Sequence, residues 1–362
     1  MSGKILMIGV GDAGTRIAFG LAHSGRVDEL VLAGLSGGVG ANVAALVESC
    51  HTLPVKFVPL DATRQADVER LLLAQRPDVV VNCAVLMRPW PAMSRSDPVV
   101  TALSRGGLGL HLPAQLPCLL SIMGAVGEVG FDGPVANLSF PDATNAVLAR
   151  LGLAPTLGLG NVSIAHLRVL AALRHAGQDP LEVGPVRLIG HHKHVIPVVA
   201  SEPSPDPAFG PRVYLGNAGD RRDELAYLAP PIVRSTLPPA FGFNTLTAAS
   251  ALPVLLALLP DAPALSFSVP APLGHPGGFP VRIEAGRVEL DLPPGVGLAE
   301  SLDYLHGLGR LDGIERIDDE GVVHFTEAAQ TALAGIEPGI AQPLAPQEAM
   351  ARFRLLAELL AA

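Results

Sequence analysis

Four residues that can carry acid–base chemistry stand together in the stretch LIGHHKHVIPV, between two apolar runs. They are His191, His192, Lys193 and His194, in a chain where only 16% of the residues are charged. Histidine changes its charge near neutral pH, so such a loop could donate a proton to a substrate. Two other interpretations remain open: a metal site, or a polar loop whose rings only cap and pack.

The metal interpretation requires three or four ligands at suitable spacing. His191 and His194 are three residues apart, and His166 could fold nearby. Lys193 would repel a cation, however, and no acid or cysteine is close in the sequence. We therefore predict no metal ligands.

A glycine-rich turn near the N-terminus, in KILMIGVGDAGTRIAFGLAHSG, indicates a second kind of chemistry. Its apolar start is typical of a buried parallel strand, and its apolar-periodic end is typical of a helix. Between them, Gly9, Gly11 and Gly14 have G-x-G-x-x-G spacing. In this setting the glycines allow a tight turn, close approach of a pyrophosphate and packing of helix on sheet. We predict dinucleotide binding; a glycine turn that binds nothing is the alternative.

The end of the next strand, DELVLAG, bears on the choice between NAD and NADP. An acid is expected there to bind the ribose hydroxyls of NAD. The sequence instead has Gly34, Leu35 and Ser36. Removing the carboxylate removes repulsion toward a 2′-phosphate, and Ser36 could donate to one, so NADP is slightly favoured although no arginine stands beside Ser36.

Further strand and helix patterns continue the α/β alternation. VKFVPLD and PDVVVNCA have the pattern of strands, and ATRQADVERLLLAQ that of a helix. The loop VLMRPWPAMSRSDPVV follows and carries Arg88 and Arg95. Arginine suits bidentate capture of a carboxylate, and two solvated surface arginines are the alternative.

Composition excludes several classes of protein. A chain of 362 residues is long enough for two domains. A net charge of −9 without a basic block argues against nucleic acid as a partner. No uninterrupted apolar run approaches the length of a membrane span, and the N-terminus lacks the features of a signal peptide. Three scattered cysteines indicate a reducing compartment. We expect a cytoplasmic protein with a small-molecule substrate.

The order of these motifs resembles that of the lactate/malate dehydrogenase family. VANLSFPDATNAVL resembles the strand and turn that carry an asparagine beside the nicotinamide, here Asn137. GLGNVSIAHLRVLAAL resembles the helix with the catalytic aspartate and the carboxylate-clamping arginine. LIGHHKHVIPV resembles the catalytic-histidine loop, and GFNTLTAASALPVLLALL and LSFSVPAPLGHPGGFPVRI resemble the late helix and closing strands. The match covers roughly residues 3–285.

The resemblance implies an α/β fold: an N-terminal Rossmann dinucleotide-binding domain, then a mixed α+β catalytic domain. We predict boundaries at 1–140 and 141–330, with a C-terminal helical extension at 331–362. The family implies hydride transfer between a nicotinamide cofactor and a carbonyl carbon, and a homodimer or homotetramer.

Residue by residue, the resemblance is incomplete. It makes His192, or His191 beside it, the acid/base, and Arg88 and Arg95 the substrate-loop arginines. Ser163 stands where the family has its aspartate, and His166 where it has the clamping arginine. Arg168 is one helical step further on. We therefore expect the same scaffold with a changed substrate.

The sequence thus predicts an NAD(P)-dependent reductase of a C=O or C=N group next to a polar or carboxylated group. A catalytically inactive dinucleotide-binding sensor or subunit, and a metal-dependent enzyme, are the alternatives. The predicted catalytic residues are His192, Arg95, Arg88, Ser163 and His166. The predicted cofactor-binding residues are Gly9, Gly11, Asp12, Ala13, Gly14, Gly34, Ser36 and Asn137.

Overall fold

The computed structural model describes residues 3–88, 97–204, 206–232 and 239–361. A six-stranded parallel sheet in the order β3-β2-β1-β4-β5-β6 forms the first half. Its strands are β1 (Gly3–Ile8), β2 (Val27–Gly34), β3 (Val55–Pro59), β4 (Val79–Asn82), β5 (Val135–Asn137) and β6 (Leu157–Gly158). This order is that of the dinucleotide-binding fold, in which ligands bind at the carboxyl ends of the strands near β1 and β4.

Helices cover the sheet on both faces. They are α1 (Asp12–His23), α2 (Gly37–Cys50), α3 (Gln65–Gln75), α4 (Pro98–Gly106), α5 (Leu112–Glu128) and α6 (Pro141–Arg150). The central strands are apolar on both faces, as a sheet covered by helices requires, and β4 is buried along its whole length. The predicted α/β Rossmann half is confirmed.

The second half contains two antiparallel sheets and the helices packed on them. One sheet pairs β7 (Val186–Ile189), β8 (Arg212–Leu215) and β9 (Asp220–Arg221), and the other β10 (Leu265–Pro270), β11 (Gly278–Glu284) and β12 (Arg287–Leu290). The helices are α7 (Val162–His175), α8 (Pro180–Val183), α9 (Val195–Ala200) and α10 (Pro239–Ala257). This confirms the predicted mixed α+β half.

The C-terminal segment returns to the first half of the molecule. It comprises α11 (Leu298–Leu311), β13 (Ile314–Ile317), β14 (Val323–Phe325), α12 (Glu327–Leu333) and α13 (Ala349–Ala361). Helix α12 packs on α4, and α13 packs on α5, within one apolar core. The predicted boundary at residue 330 falls inside α12, and the division into domains stays a prediction.

One stretch, Leu108–Glu128, is long and apolar enough to cross a membrane. Because 78% of the most apolar 18-residue part of this stretch is buried inside the protein, it has the character of a core helix. Its covering partners include α3, α6 and α13.

Candidate active site

The glycine turn has the geometry that a bound pyrophosphate requires. Gly9 has a φ of 104°, in the region that favours glycine, and a Cβ there would lie 2.4 Å from the main-chain nitrogen of Ala84. A Cβ at Gly14 would lie 2.4 Å from the carbonyl oxygen of Gly9. At Gly11, by contrast, no atom lies within 4 Å of that position, so the N-terminus of α1 is open to a ligand. These three positions therefore fit a dinucleotide.

Polar side chains of α10 contact the first turn of α1. Asn244 donates to the Asp12 carboxylate, and Arg16 pairs with Asp12 and donates to the Thr245 hydroxyl at 3.2 Å. Burial raises the pKa of Asp12, but the bonds from Arg16 and Asn244 outweigh it and lower the pKa overall. The positive charge of Arg88 also helps to lower the pKa of Asp12. This exposed arginine therefore lies near the glycine turn.

Two further predicted cofactor residues, Gly34 and Ser36, lie at or beside the carboxyl end of β2. Ser36 is exposed and precedes α2 without forming a side-chain cap, so its hydroxyl is accessible beside a helix N-terminus. Nothing lies closer than 3.9 Å to the position of a Cβ at Gly34. Both positions leave room for the ribose of a dinucleotide.

Buried amides organise the carboxyl ends of β4 and β5. Asn82 donates to the Asn137 Oδ1 atom at 2.9 Å, and Asn137 donates to the Asn145 Oδ1 atom at 2.8 Å. Asn137 is completely buried and its polar atoms are bonded within the protein, so it holds this turn in place. Burial raises the pKa of the neighbouring Cys83 thiol to about 12, so it is not a nucleophile at neutral pH.

His191 and His194 fold the histidine loop. The His191 main-chain N–H donates to the Nδ1 atom of His194 at 3.0 Å, and Lys193 N–H donates to the Nδ1 atom of His191 at 3.5 Å. The Nε2 atom of His194 lies 2.9 Å from the Phe209 carbonyl oxygen. Burial lowers the pKa of His194 to about 4 and that of His191 well below its usual value. Both rings are therefore neutral and structural at pH 7.

His192 differs from these neighbours because its side chain is 15% exposed. Its ring meets Phe140 edge-on, with ring centroids 5.2 Å apart. Its main-chain N–H donates to the Oδ1 atom of Asp142 at 3.2 Å, and Asn161 donates to the other oxygen of Asp142. Phe140 and Asp142 follow directly after β5. These contacts place His192 beside the carboxyl end of the parallel sheet.

A carboxylate from the C-terminal segment completes the surroundings of His192. Asp312 is fully buried, with one oxygen 2.8 Å from the His192 Nδ1 atom and the other 2.8 Å from the Lys193 Nζ atom. The Lys193 contact is an ion pair, and the His192 contact is one only when the ring is protonated; neither has the alignment of a hydrogen bond. Burial raises the pKa of Asp312, but the positive charge around it is stronger and holds the pKa well below the usual range.

Ser163 and His166 lie in a different network. Ser163 donates to the Ser268 carbonyl oxygen at 2.9 Å, and the Nδ1 atom of His166 lies 3.1 Å from the Ser268 hydroxyl. His166 is buried against the Phe267 ring, and burial lowers its pKa to about 3. None of the contacts among the described residues joins Ser163 or His166 to His192. The geometry gives Ser163 and His166 a structural role in the core.

The arginines considered for substrate binding differ in burial. Arg168 is buried and donates to the carbonyl oxygens of Ala229, at 3.2 Å, and Pro230, so its guanidinium is engaged by the main chain. Arg88 is exposed at the end of a described range. Arg95 lies outside the described residues.

Sequence reasoning missed two carboxylates at this site. Asp142 stands five residues beyond Asn137, directly after a strand that ends at the ligand-binding edge, and that position was a usable signal. Asp312 had no such signal, because it lies 120 residues beyond His192 in a segment outside the family resemblance.

The solved structures that this chain resembles include two lactate dehydrogenases. One, MGS-M5 from a Medee basin deep-sea metagenome library, is 12% identical, with a TM-score of 0.52, covering 86% of this chain and 96% of that one. The other, the minor L-lactate dehydrogenase of Enterococcus mundtii, is 16% identical, with a TM-score of 0.55, covering 88% of this chain and 99% of that one. Comparisons with family models and with curated protein sequences give no match. The resemblance indicated by the motifs is thereby confirmed for the fold: this chain has the fold of the lactate dehydrogenases.

Proposed function

We propose that this protein is an NAD(P)-dependent oxidoreductase that reduces a C=O or C=N group of a small polar or carboxylated substrate. The observation that carries the proposal is the position of His192. It is partly exposed beside the carboxyl end of β5, in a sheet whose glycine turn fits a dinucleotide. In such sheets this edge is where cofactor and substrate meet.

The nicotinamide, when bound, supplies the hydride. As hydride reaches the substrate carbon, the electron pair of the C=O bond moves to oxygen, and negative charge develops there. With the Nδ1 atom of His192 toward Asp312, the opposite ring nitrogen, Nε2, is the one that can give its proton to that oxygen. The neutral rings of His191 and His194 could not supply this proton at pH 7.

The histidine loop and the two loop arginines, Arg88 and Arg95, favour an enzyme over the alternative, an inactive dinucleotide-binding sensor or subunit. Burial also prevents His166 from serving as a cationic clamp. A carboxylate on the substrate would therefore be bound by the arginines Arg88 and Arg95 of the loop after β4.

The cofactor is NAD or NADP. The exposed Ser36 and the missing acid favour NADP, whereas the comparisons with solved structures give no support to NADP over NAD. We further expect a cytoplasmic homodimer or homotetramer, without nucleic-acid or membrane partners.

Fluorescence titration with NADH and NADPH, followed by a panel of 2-oxo acids, ketones and cyclic imines, tests the proposal. We expect tight binding of one cofactor and its oxidation by at least one panel member. His192→Asn should lower turnover by about 100-fold or more while leaving cofactor affinity nearly unchanged. The matched control is His306→Asn, at an exposed histidine on α11. Binding without turnover on any substrate would favour the sensor, and absence of binding would refute both.

A group formed by His191, His192 and Asp312 could by its geometry also hold a metal ion. Lys193 already places its ammonium 2.8 Å from Asp312, so a cation there would face direct repulsion. Metal analysis of the purified protein tests this second candidate, which requires a stoichiometric transition metal.

A further inference from the structure

Asp312 stands at the end of α11, beyond the part of the chain that the family resemblance covers. Its side chain is completely buried. An isolated buried carboxylate loses its hydration without compensation, so proteins keep such groups paired or use them. Among the described residues, the ion-pair partners of the Asp312 carboxylate belong to the histidine loop: His191, His192 and Lys193.

The main chain around Asp312 fits closely against a turn that follows α4. Gly109 N–H donates to the Asp312 carbonyl oxygen at 2.8 Å. A Cβ at Gly107 would lie 2.3 Å from the Asp312 carbonyl carbon, and a Cβ at Gly109 would lie 2.7 Å from its oxygen. Two glycines therefore allow the C-terminal segment to approach closely enough for its carboxylate to reach the histidine loop.

Asp142 is the other carboxylate near His192, but it is engaged differently. One of its oxygens accepts the His192 main-chain N–H, and the other accepts a hydrogen bond from Asn161. Asp142 thus anchors the loop backbone. Asp312 is the carboxylate that faces the ring, at the Nδ1 atom.

We propose that Asp312 is the positioning residue of His192, supplying from the C-terminal segment the carboxylate that Ser163 does not provide. This inference rests on the proposed function, in which His192 is the acid/base. A carboxylate at the Nδ1 atom places the ring proton on that nitrogen, orients the Nε2 atom toward the substrate and stabilises the protonated ring. The C-terminal segment is then a required part of the active site.

Lys193 limits the strength of this pairing because it shares the carboxylate. Its side chain is 34% exposed, and its ammonium lies 2.8 Å from the second oxygen of Asp312. Removing the ammonium would leave His192 as the nearest partner of the carboxylate, with the Nε2 atom of His191 3.7 Å away. Lys193→Met should therefore stabilise the protonated ring, whereas Asp312→Asn should destabilise it.

The first experiment needs no substrate. Protein labelled with ¹⁵N-histidine reports, in long-range ¹H–¹⁵N spectra, which nitrogen of a neutral ring carries the proton; the spectrum of His192→Asn identifies the His192 signals. We expect the Nδ1–H tautomer in the natural protein and loss of that preference in Asp312→Asn. The control is Asp318→Asn, which removes a carboxylate of the same segment from His324, 2.7 Å away, without touching His192.

The second experiment uses turnover. Asp312→Asn should lower kcat/KM for reduction by about 100-fold and shift the alkaline limb of its pH profile to lower pH, with unchanged affinity for NADH. Lys193→Met should shift the same limb to higher pH, and this variant keeps the test decisive if Asp312→Asn fails to fold. Asp318→Asn should leave the profile unchanged.

An unchanged tautomer and pH profile in folded Asp312→Asn would overturn the proposal. So would tight, stoichiometric zinc binding that Asp312→Asn abolishes, because Asp312 would then be a metal ligand. A tautomer that depends on Asp312 in a protein that oxidises neither NADH nor NADPH with any substrate would support the pairing and refute the oxidoreductase. The two proposals therefore fail in distinguishable ways.

Discussion

His166 occupies the position at which the family resemblance expects a clamping arginine, and its charge decides whether it could bind a carboxylate. Burial lowers its pKa from 6.5 to about 3. The unfolded chain therefore binds a proton between these values that the folded protein does not, so stability falls as the pH falls below 6.5. At pH 5, this linkage lowers the free energy of unfolding by about 2 kcal/mol through His166 alone. At pH 7.5 the same effect is almost zero.

The test compares urea unfolding of the natural protein and of His166→Gln at pH 7.5 and pH 5. The variant lacks the titrating ring, so it should lose about 2 kcal/mol less than the natural protein between the two pH values. Any change in the free energy of unfolding that comes from replacing the ring itself is the same at both pH values, so it cancels in the comparison. His175→Gln, at an exposed histidine of the same helix α7, is the matched control.

An equal loss in the natural protein and in His166→Gln would refute the reasoning. It would mean that folded His166 takes up a proton as easily as the unfolded chain does. A protonated ring could then bind a substrate carboxylate in place of the missing arginine.

Two further predictions concern the cofactor turn and the buried arginine. Gly14→Val would place side-chain atoms against the Gly9 carbonyl oxygen. Fluorescence titration should therefore show that the variant binds NADH about tenfold more weakly or worse. An affinity equal to that of the natural protein would refute this role of the turn. Arg168→Met would leave the Ala229 and Pro230 carbonyl oxygens without their donor, which should lower the free energy of unfolding by about 2 kcal/mol with KM unchanged. A raised KM with unchanged stability would instead show that Arg168 binds substrate.

The Rossmann half was predictable because its signals are local. Strand β1, the glycine turn and α1 are contiguous, and each glycine performs a task that its spacing already indicates. The C-terminal helix was also predictable from its amphipathic pattern, and it packs on α5. By contrast, the proline-rich stretch 200–231 has no clear strand pattern, yet it contributes β8 and β9 to a sheet. Proline and glycine interrupt the local pattern, and β8 becomes a strand by pairing with β7, which lies outside this stretch.

The candidate site likewise contains residues that the sequence could identify and residues that it could not. The family resemblance indicated His192, but it could not separate His192 from His191, because the difference lies in burial and in contacts from other segments. Sequence alignment placed Ser163 and His166 at functional positions, where burial and their bonds to Ser268 give them structural ones. The Asp312 pairing depends on a tertiary contact across 120 residues, and no local pattern encodes it.

We also expect the state of His166 and Arg168 on α7 to restrict the substrate. A carboxylate moved from water into a site without a cation loses its hydration and gains no compensating ion pair. His166 is neutral and Arg168 is bound to carbonyl oxygens, so α7 offers a substrate carboxylate neither of these cations. Lys193 is paired with Asp312. A carboxylate directly beside the reacting carbon, where the family clamps it from this helix, would therefore bind poorly. We accordingly expect substrates that lack that group or carry their charge further away, within reach of Arg88 and Arg95.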